Sequence, residues 1–367
     1  MVNNANFNVQ TAIRPPIERT TVFRATEQAQ YAHHPCLCRF RGQYIALFSC
    51  GSVHEDDAGQ RAVIAYSSDF VTWSVPVKLE ITDNPQSVDT ACGLFVSDGR
   101  LYVYVGTYTY DKAHTQEGGG RVFEDKGHEG TALYVLESDD GVHFSRPRFT
   151  GLHMIPNMPP KRMRDGRVVL CGNFLMPVND DFSRDPDGWA VRGLTDKLQV
   201  DDSESFYAAS ELLGLDTVVC ECDLFERQDG TYVSLFRSQK KEAFGWLYCS
   251  ESNDLRHWSL PRRTAFTNDT SKFCVGRLRD GRFFYAGNAA VGGGRNPLVL
   301  SLSDDGENFT RHYLLGDEKP AIRYRGFAKF GAYGYPYAFE EDGWLYVIYS
   351  VNKEDIAACR TAVSELK

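Results

Sequence analysis

The chain lacks most of the features that would assign it quickly. Its first ten residues, MVNNANFNVQ, carry neither a basic segment nor an apolar one, so no secretory leader is expected. No stretch approaches the roughly 18 apolar residues of a membrane-spanning helix. No segment has a convincing amphipathic helical period. No Gly-Lys-Ser/Thr follows the glycines before Arg295 in GGGRNPLVL, which excludes a phosphate loop there. Cys220-Glu-Cys222 has no second cysteine pair nearby, so it is not a zinc pattern. The ten cysteines are thin over 367 residues. Cys36, Cys38, Cys171, Cys249 and Cys274 sit inside or beside apolar runs, and buried, reduced thiols of a cytoplasmic protein are expected. Positive charge is also short. Lys and Arg total 40 against 49 Asp and Glu, a formal charge of -9. That disfavours nucleic acid or an anionic membrane as partner while leaving room for a local basic pocket.

What the chain has is repetition. Ser-x-Asp-x-x-x-(Trp/Phe) occurs four times, at Ser67/Asp69/Trp73, Ser138/Asp140/Phe144, Ser252/Asp254/Trp258 and Ser303/Asp305/Phe309. A second refrain is a Gly followed by a short apolar, aromatic-rich run, as in DGRLYVYVG and DGTYVSLFR. It recurs six times, with its glycines at 42, 99, 166, 230, 281 and 343. These runs have strand length, and the Asp-Gly pairs ahead of them are turn formers. A unit of this size cannot bury its own apolar face, so six copies predict radial closure. The expected fold is all-β, a six-bladed β-propeller with four-stranded antiparallel blades. The Gly-led run is one middle strand, and the next strand ends in the Ser-x-Asp turn, whose side chains tie the backbone while the aromatic packs beneath. Residues 1–27 read as an N-terminal arm and 28–367 as a single propeller domain. The segment 156–160 reads as a rigid turn. The longer polar stretches 83–90, 110–130, 179–202 and 316–331 read as loops of one face.

The chemistry-bearing residues interrupt this refrain. His54-Glu-Asp-Asp57 follows the strand at Tyr44–Cys50. It is either a solvated acidic rim or, with one carboxyl partly desolvated, a general acid, and Asp56 and Asp57 are not separable by sequence. Glu221 lies in an apolar segment where an unpaired carboxylate is costly, and Arg237, after VSLF, is its natural partner. Arg295 brings bidentate guanidinium geometry close to backbone, for a carboxylate or a structural salt bridge. Tyr333-Gly-Tyr335-Pro offers a phenol that a neighbouring carboxylate could activate, or simple packing. His33-His34-Pro35 begins the first strand. Adjacent strand residues face opposite ways, so at most one of the two should meet a central pocket. Arg121, His128, Arg192 and Asn288 are further candidate pocket linings. No cofactor or metal is demanded by any ligand spacing.

The pattern resembles the sialidase superfamily of Asp-box propellers, from about residue 30 to the end. The four Ser-x-Asp turns are that family's hallmark. The resemblance implies an Asp acid/base on an early loop, matched by Asp57 or Asp56. It implies a Glu before a Gly-led strand that ends in Arg, matched by Glu221 and Arg237. It implies a further Arg before an Asp-box strand, matched by Arg295, and a late nucleophilic Tyr, matched by Tyr335 or less well Tyr333. One departure is plain. Sialidases carry Arg-Ile-Pro at the first blade, whose arginine grips the sialic acid carboxylate, and here His33-His34-Pro35 stands in its place. Related propellers that act on rhamnosyl-uronate glycans, by hydrolysis or elimination, use a histidine. The resemblance therefore implies an exo-acting glycosidase on an acidic or deoxy sugar. The alternatives are a uronate-glycan lyase and a non-catalytic carbohydrate-binding propeller. The expected partner is a small glycoside, with neither nucleic acid nor membrane, and the arm could contact a second subunit.

Overall fold

The computed structural model describes residues 1–110, 115–116, 120–121, 128–191, 193–194, 206–239, 244–326, 329 and 331–367. Its strands form six four-stranded antiparallel sheets, the blades of a propeller. Blade one runs Tyr31–Phe40, Gln43–Gly51, Arg61–Ser67 and Val77–Lys78, from the axis outward. Blade two runs Val88–Ser97, Arg100–Tyr110, His128–Ser138 and Arg148–Phe149. Blade three is built from Met158–Arg162, Val168–Cys171, Val178–Asn179 and Trp189–Ala190. Blade four takes Val219–Glu226, Tyr232–Ser238, Trp246–Ser252 and Arg262–Thr267, and blade five Cys274–Arg277, Phe283–Gly287, Leu298–Ser303 and Arg311–Gly316. Blade six has Tyr333–Glu341, Trp344–Val351 and Asp355–Ala362. Its outermost strand is Glu18–Phe23, from the N-terminal segment, paired antiparallel with Asp355–Ala362. The last sheet is thus completed by the start of the chain, which ties the ends of the ring together.

The Gly-led runs are the second strands and the Ser-x-Asp strands the third. Two local expectations give way. Residues 158–162 are the innermost strand of blade three, because the prolines sit at the axis where the ladder shifts register between Met158 and Lys161. A seven-residue helix, Phe206–Leu212, precedes blade four; it is too short to show an amphipathic period in sequence. No helix among the described residues is long and apolar enough to cross a membrane.

The core is a set of apolar layers between adjacent blades, filled by residues such as Leu47, Ile64, Leu94 and Val103 between blades one and two. All ten cysteines are described and no disulfide joins any two of them. Burial pushes the Cys36 thiol up to about 12, which keeps it protonated and unreactive.

The Ser-x-Asp turns are staples. In the first, Asp69 Oδ1 accepts from Val71 N at 2.8 Å, Thr72 N at 2.7 Å and Ser67 Oγ at 3.0 Å. The backbone bond from Thr72, then that from Val71, holds the Asp69 carboxyl down to about 2. Asp140, Asp254 and Asp305 repeat the arrangement. All four turns join the third and fourth strands of a blade, which places them on one face of the propeller.

Candidate active site

The opposite face collects the starts of the inner strands and the turns between second and third strands. Three inner strands carry a bulge at which a non-glycine residue takes positive φ: His34 at 54°, Glu221 at 48° and Tyr335 at 53°. A left-handed non-glycine residue costs roughly 1–3 kcal/mol. Such a bulge re-aims one side chain without breaking the ladder, and here all three bulged side chains meet.

Tyr335 is the centre. Its hydroxyl donates to Glu221 Oε1, and Arg237 Nη1 donates to Glu221 Oε2. Arg237 Nη1 also donates to the Tyr335 oxygen at 3.2 Å. Burial opposes ionisation of Glu221. Arg237, the Tyr335 hydroxyl, Lys272 and Arg295 together outweigh it, so the carboxyl is held below its ordinary range. Burial and then the Glu221 charge push the Tyr335 phenol well up, so it rests as a neutral donor. Three more cations stand over its ring: Lys272 Nζ at 4.9 Å, the Arg295 guanidinium carbon at 5.5 Å and Lys353 Nζ at 5.9 Å from the centroid.

Both histidines reach this centre, against the expectation that only one could. The ring centroid of His33 is 4.1 Å from that of Tyr335, and His34 lies 5.3 Å away. The bulge at His34 abolishes strict alternation and turns both rings to one side. Ser350 Oγ donates to the Gly334 carbonyl at 3.2 Å and so accepts from His33 Nδ1 at 2.7 Å. This leaves His33 Nε2 as a buried lone pair. Burial, then the Lys353 charge, keeps His33 neutral with its pKa well below 6.5. Burial and then Lys272 do the same for His34. Gly334 makes room: a Cβ there would lie 3.0 Å from His33 Cε1 and 2.9 Å from Ser350 Oγ.

Arg295 is set by its loop. Asp269 Oδ2 accepts its backbone N–H at 2.6 Å, and Asn288 Nδ2 donates to its carbonyl at 2.9 Å. Asn288 is therefore fully buried and positions Arg295 rather than lining the site. Gly331, at φ 93°, lets the Arg295 stem pass, since a Cβ there would sit 2.5 Å from Arg295 Cδ.

The acidic loop divides its three carboxylates. Glu55 Oε2 pairs with Lys353 Nζ at 2.5 Å, and Tyr31 donates to Glu55 Oε1 at 3.3 Å. Asp56 Oδ1 accepts from the Tyr108 hydroxyl at 2.5 Å, and Oδ2 lies 3.8 Å from His128 Nε2. The His128 ring stacks on Tyr108 at 3.8 Å. Asp57 instead turns back to accept the backbone N–H of His54 at 3.1 Å. The Tyr31 ring, bonded to Glu55, lies 6.3 Å from that of His33, so this loop borders the histidines beside Tyr335.

Tyr333 is not part of the site. Its hydroxyl donates to Glu318 Oε2 at 3.2 Å, and its ring belongs to the apolar core. Simple alternation would put Tyr333 and Tyr335 on the same side, and the bulge after Gly334 separates them. The Arg121 side chain and Arg192 lie outside the described residues. Sequence reasoning missed Glu55 as a pocket residue, along with Tyr31, Tyr108, Lys272 and Lys353.

One group could in principle hold a metal: His33, His34 and Glu55 bring ligand atoms within 4.8 Å of one another. Glu55 is already bonded to Lys353 and Tyr31, and the lysine charges that, after burial, keep the histidines neutral also repel a metal cation. The group does not fit a cation site.

The family model described as a BNR repeat-like domain matches residues 122–347, more than half of the chain. The chain belongs to the BNR repeat-like family. No curated protein matches it. Among solved structures, a sialidase matches at 20% identity and TM-score 0.62, covering 98% of this chain and 34% of its own. A protein of unknown function from Dyadobacter fermentans matches at 15% identity and TM-score 0.65, covering 96% of this chain and 99% of its own. The Trypanosoma rangeli sialidase in complex with 2,3-difluorosialic acid, a covalent intermediate, matches at 12% identity and TM-score 0.65, covering 97% and 60%. The BNR chain thus spans about a third of the first sialidase and three fifths of the second. At these identities the likeness shows the fold, a sialidase-like six-bladed propeller.

Proposed function

We propose that this BNR-family propeller is an exo-acting glycoside hydrolase on an acidic or deoxy sugar. The observation that carries the reading is the hydrogen-bonded Tyr335–Glu221–Arg237 group, set among further cations. Glu221 takes the phenolic proton as the Tyr335 oxygen bonds to the anomeric carbon. Asp56, rather than Asp57, gives a proton to the leaving glycosidic oxygen as that bond breaks. Asp56 then takes a proton from water, which attacks the anomeric carbon and frees Tyr335 to recover its proton from Glu221. The negative charge that passes from Glu221 to the Tyr335 oxygen favours the oxocarbenium-like transition state, and Arg237 with Arg295 holds the acidic substituent. The His33-His34 pair in place of a first-blade arginine argues against an ordinary sialic acid substrate.

The test is a panel of aryl glycosides of sialic acid, uronic acids and deoxy sugars, with saturated and unsaturated uronate oligosaccharides, offered to the intact chain. Turnover of an acidic or deoxy member supports the reading, and none across the panel ends it. A second reading rests on the two neutral histidines beside Tyr335. With His33 or His34 as base and Tyr335 as acid, the site would eliminate a uronate glycan. It predicts a product absorbing through a new 4,5-double bond, which hydrolysis does not form.

A further inference from the structure

One buried cation has no task in this scheme. Lys272 comes just before the inner strand of blade five and is only 7% exposed. Among the described residues its ammonium makes no ion pair within 4.0 Å and no hydrogen bond. A buried lysine without a bonded partner is costly, and the Glu221 charge is already matched by Arg237. The position of the ammonium is informative. It lies 4.9 Å from the Tyr335 ring centroid. Burial lowers its affinity for a proton, and Glu221, then the thiols of Cys92 and Cys36 on the inner strands of blades two and one, act against that. After burial, it is the largest influence on His34. The side chain thus reaches from blade five over Tyr335 of blade six and into the field of His34 on blade one. That is the side where the histidines stand and where blade one offers no arginine.

We propose that Lys272 is the third cation of the substrate clamp, receiving the oxyanion of an acidic substrate together with Arg237 and Arg295. The inference rests on the acidic-substrate reading above. It makes Lys272 a specificity residue delivered from a different blade than the missing arginine. A compact ammonium can follow an oxyanion through several orientations, whereas a guanidinium fixes a planar pair.

The test is sulfate binding to the intact chain by calorimetry at constant ionic strength. Lys272→Met should weaken sulfate at least tenfold, and Lys272→Arg should keep it within about threefold. Equal binding in wild type and Lys272→Met, or no binding by wild type, overturns the proposal. Should the Met variant not fold, a crystal structure of the wild type grown in sulfate decides. A sulfate oxygen within hydrogen-bond distance of Lys272 Nζ supports the proposal; no ordered sulfate there, or an adventitious ion only, overturns it. Kinetics keep this separate from the parent reading. Turnover of an acidic glycoside with KM unchanged in Lys272→Met removes the clamp role and leaves the hydrolase. Lys272-dependent sulfate binding without turnover removes the hydrolase and leaves the anion site.

Discussion

On one face of the propeller, Asp69, Asp140, Asp254 and Asp305 lie at the surface, each ringed by backbone N–H donors. On the other, the Glu221 carboxylate is largely covered and, among the described residues, is held by the side chains of Tyr335 and Arg237 rather than by backbone donors. Both carboxylate sets are held ionised, by different means. The first is committed to its own turn, one oxygen of each taking the turn's N–H donors. The second is balanced by groups on two blades, so a proton transferred there changes the charge of the whole site. The contrast shows why the most conspicuous motif of the chain is a staple while the reactive positions are single residues at bulges.

The sharpest break of this contrast is Tyr335→Phe. Removing one oxygen should lower kcat by at least about 10⁴-fold on any substrate found in the panel, with the unfolding midpoint almost unchanged. A Phe variant within tenfold of wild type would move the chemistry away from Tyr335. Next comes Arg237→Met. It strands a buried carboxylate, and removing one partner of a buried pair costs about 3–5 kcal/mol. Urea unfolding should show that loss at constant m-value, and Glu221→Gln added to Arg237→Met should return part of it. Full additivity would mean that the two do not act as a pair.

The fold was legible because each blade repeats the same local chemistry: a Gly-led turn, an aromatic strand and an Asp-tied turn. The site was legible where it interrupts that chemistry, at His33-His34, Glu221, Arg237, Arg295 and Tyr335. It was illegible where burial alone gives a residue its meaning. Lys353 sits in VNKED, an ordinary hairpin turn by sequence, yet it pairs with Glu55 beside Tyr335. Lys272 sits in NDTSKF, which reads as a solvated loop. Which of Tyr333 and Tyr335, and how many of the two histidines, would face inward depended on bulges. A bulge is a register event that period-two reasoning does not contain.

Protonation should also separate the faces. His33 is fully buried and neutral, with its pKa well below the 6.5 of an unfolded histidine. Below pH 6.5 the unfolded chain therefore binds a proton that the folded chain does not. Stability is complete above that pH and falls as pH drops toward the folded value, by up to about 1.4 kcal/mol per pH unit for each such group. Asp223, whose carboxyl burial raises, acts in the opposite sense at lower pH, so the informative quantity is a difference. Urea unfolding between pH 5 and 7 should show a shallower slope for His33→Asn than for wild type. Parallel slopes would mean that His33 is charged in the fold.

The smallest effect expected is on the Asp-box face. Asp305 Oδ1 accepts from Glu307 N and Asn308 N at 2.7 Å each and from Ser303 Oγ at 2.8 Å. The arrangement resembles a helix cap more than an ion pair, because its donors are turn amides that water can also reach. Asp305→Ala should then cost roughly 1 kcal/mol, the scale of a lost cap, and Asp305→Asn less, since an amide oxygen still accepts. Neither should change KM or kcat, because the turn lies across the propeller from Tyr335. A kinetic change in Asp305→Ala at full folding would mean that the faces are coupled through blade five, whose second-to-third strand turn carries Arg295. The comparison of staple and site would then have to be redrawn around that blade.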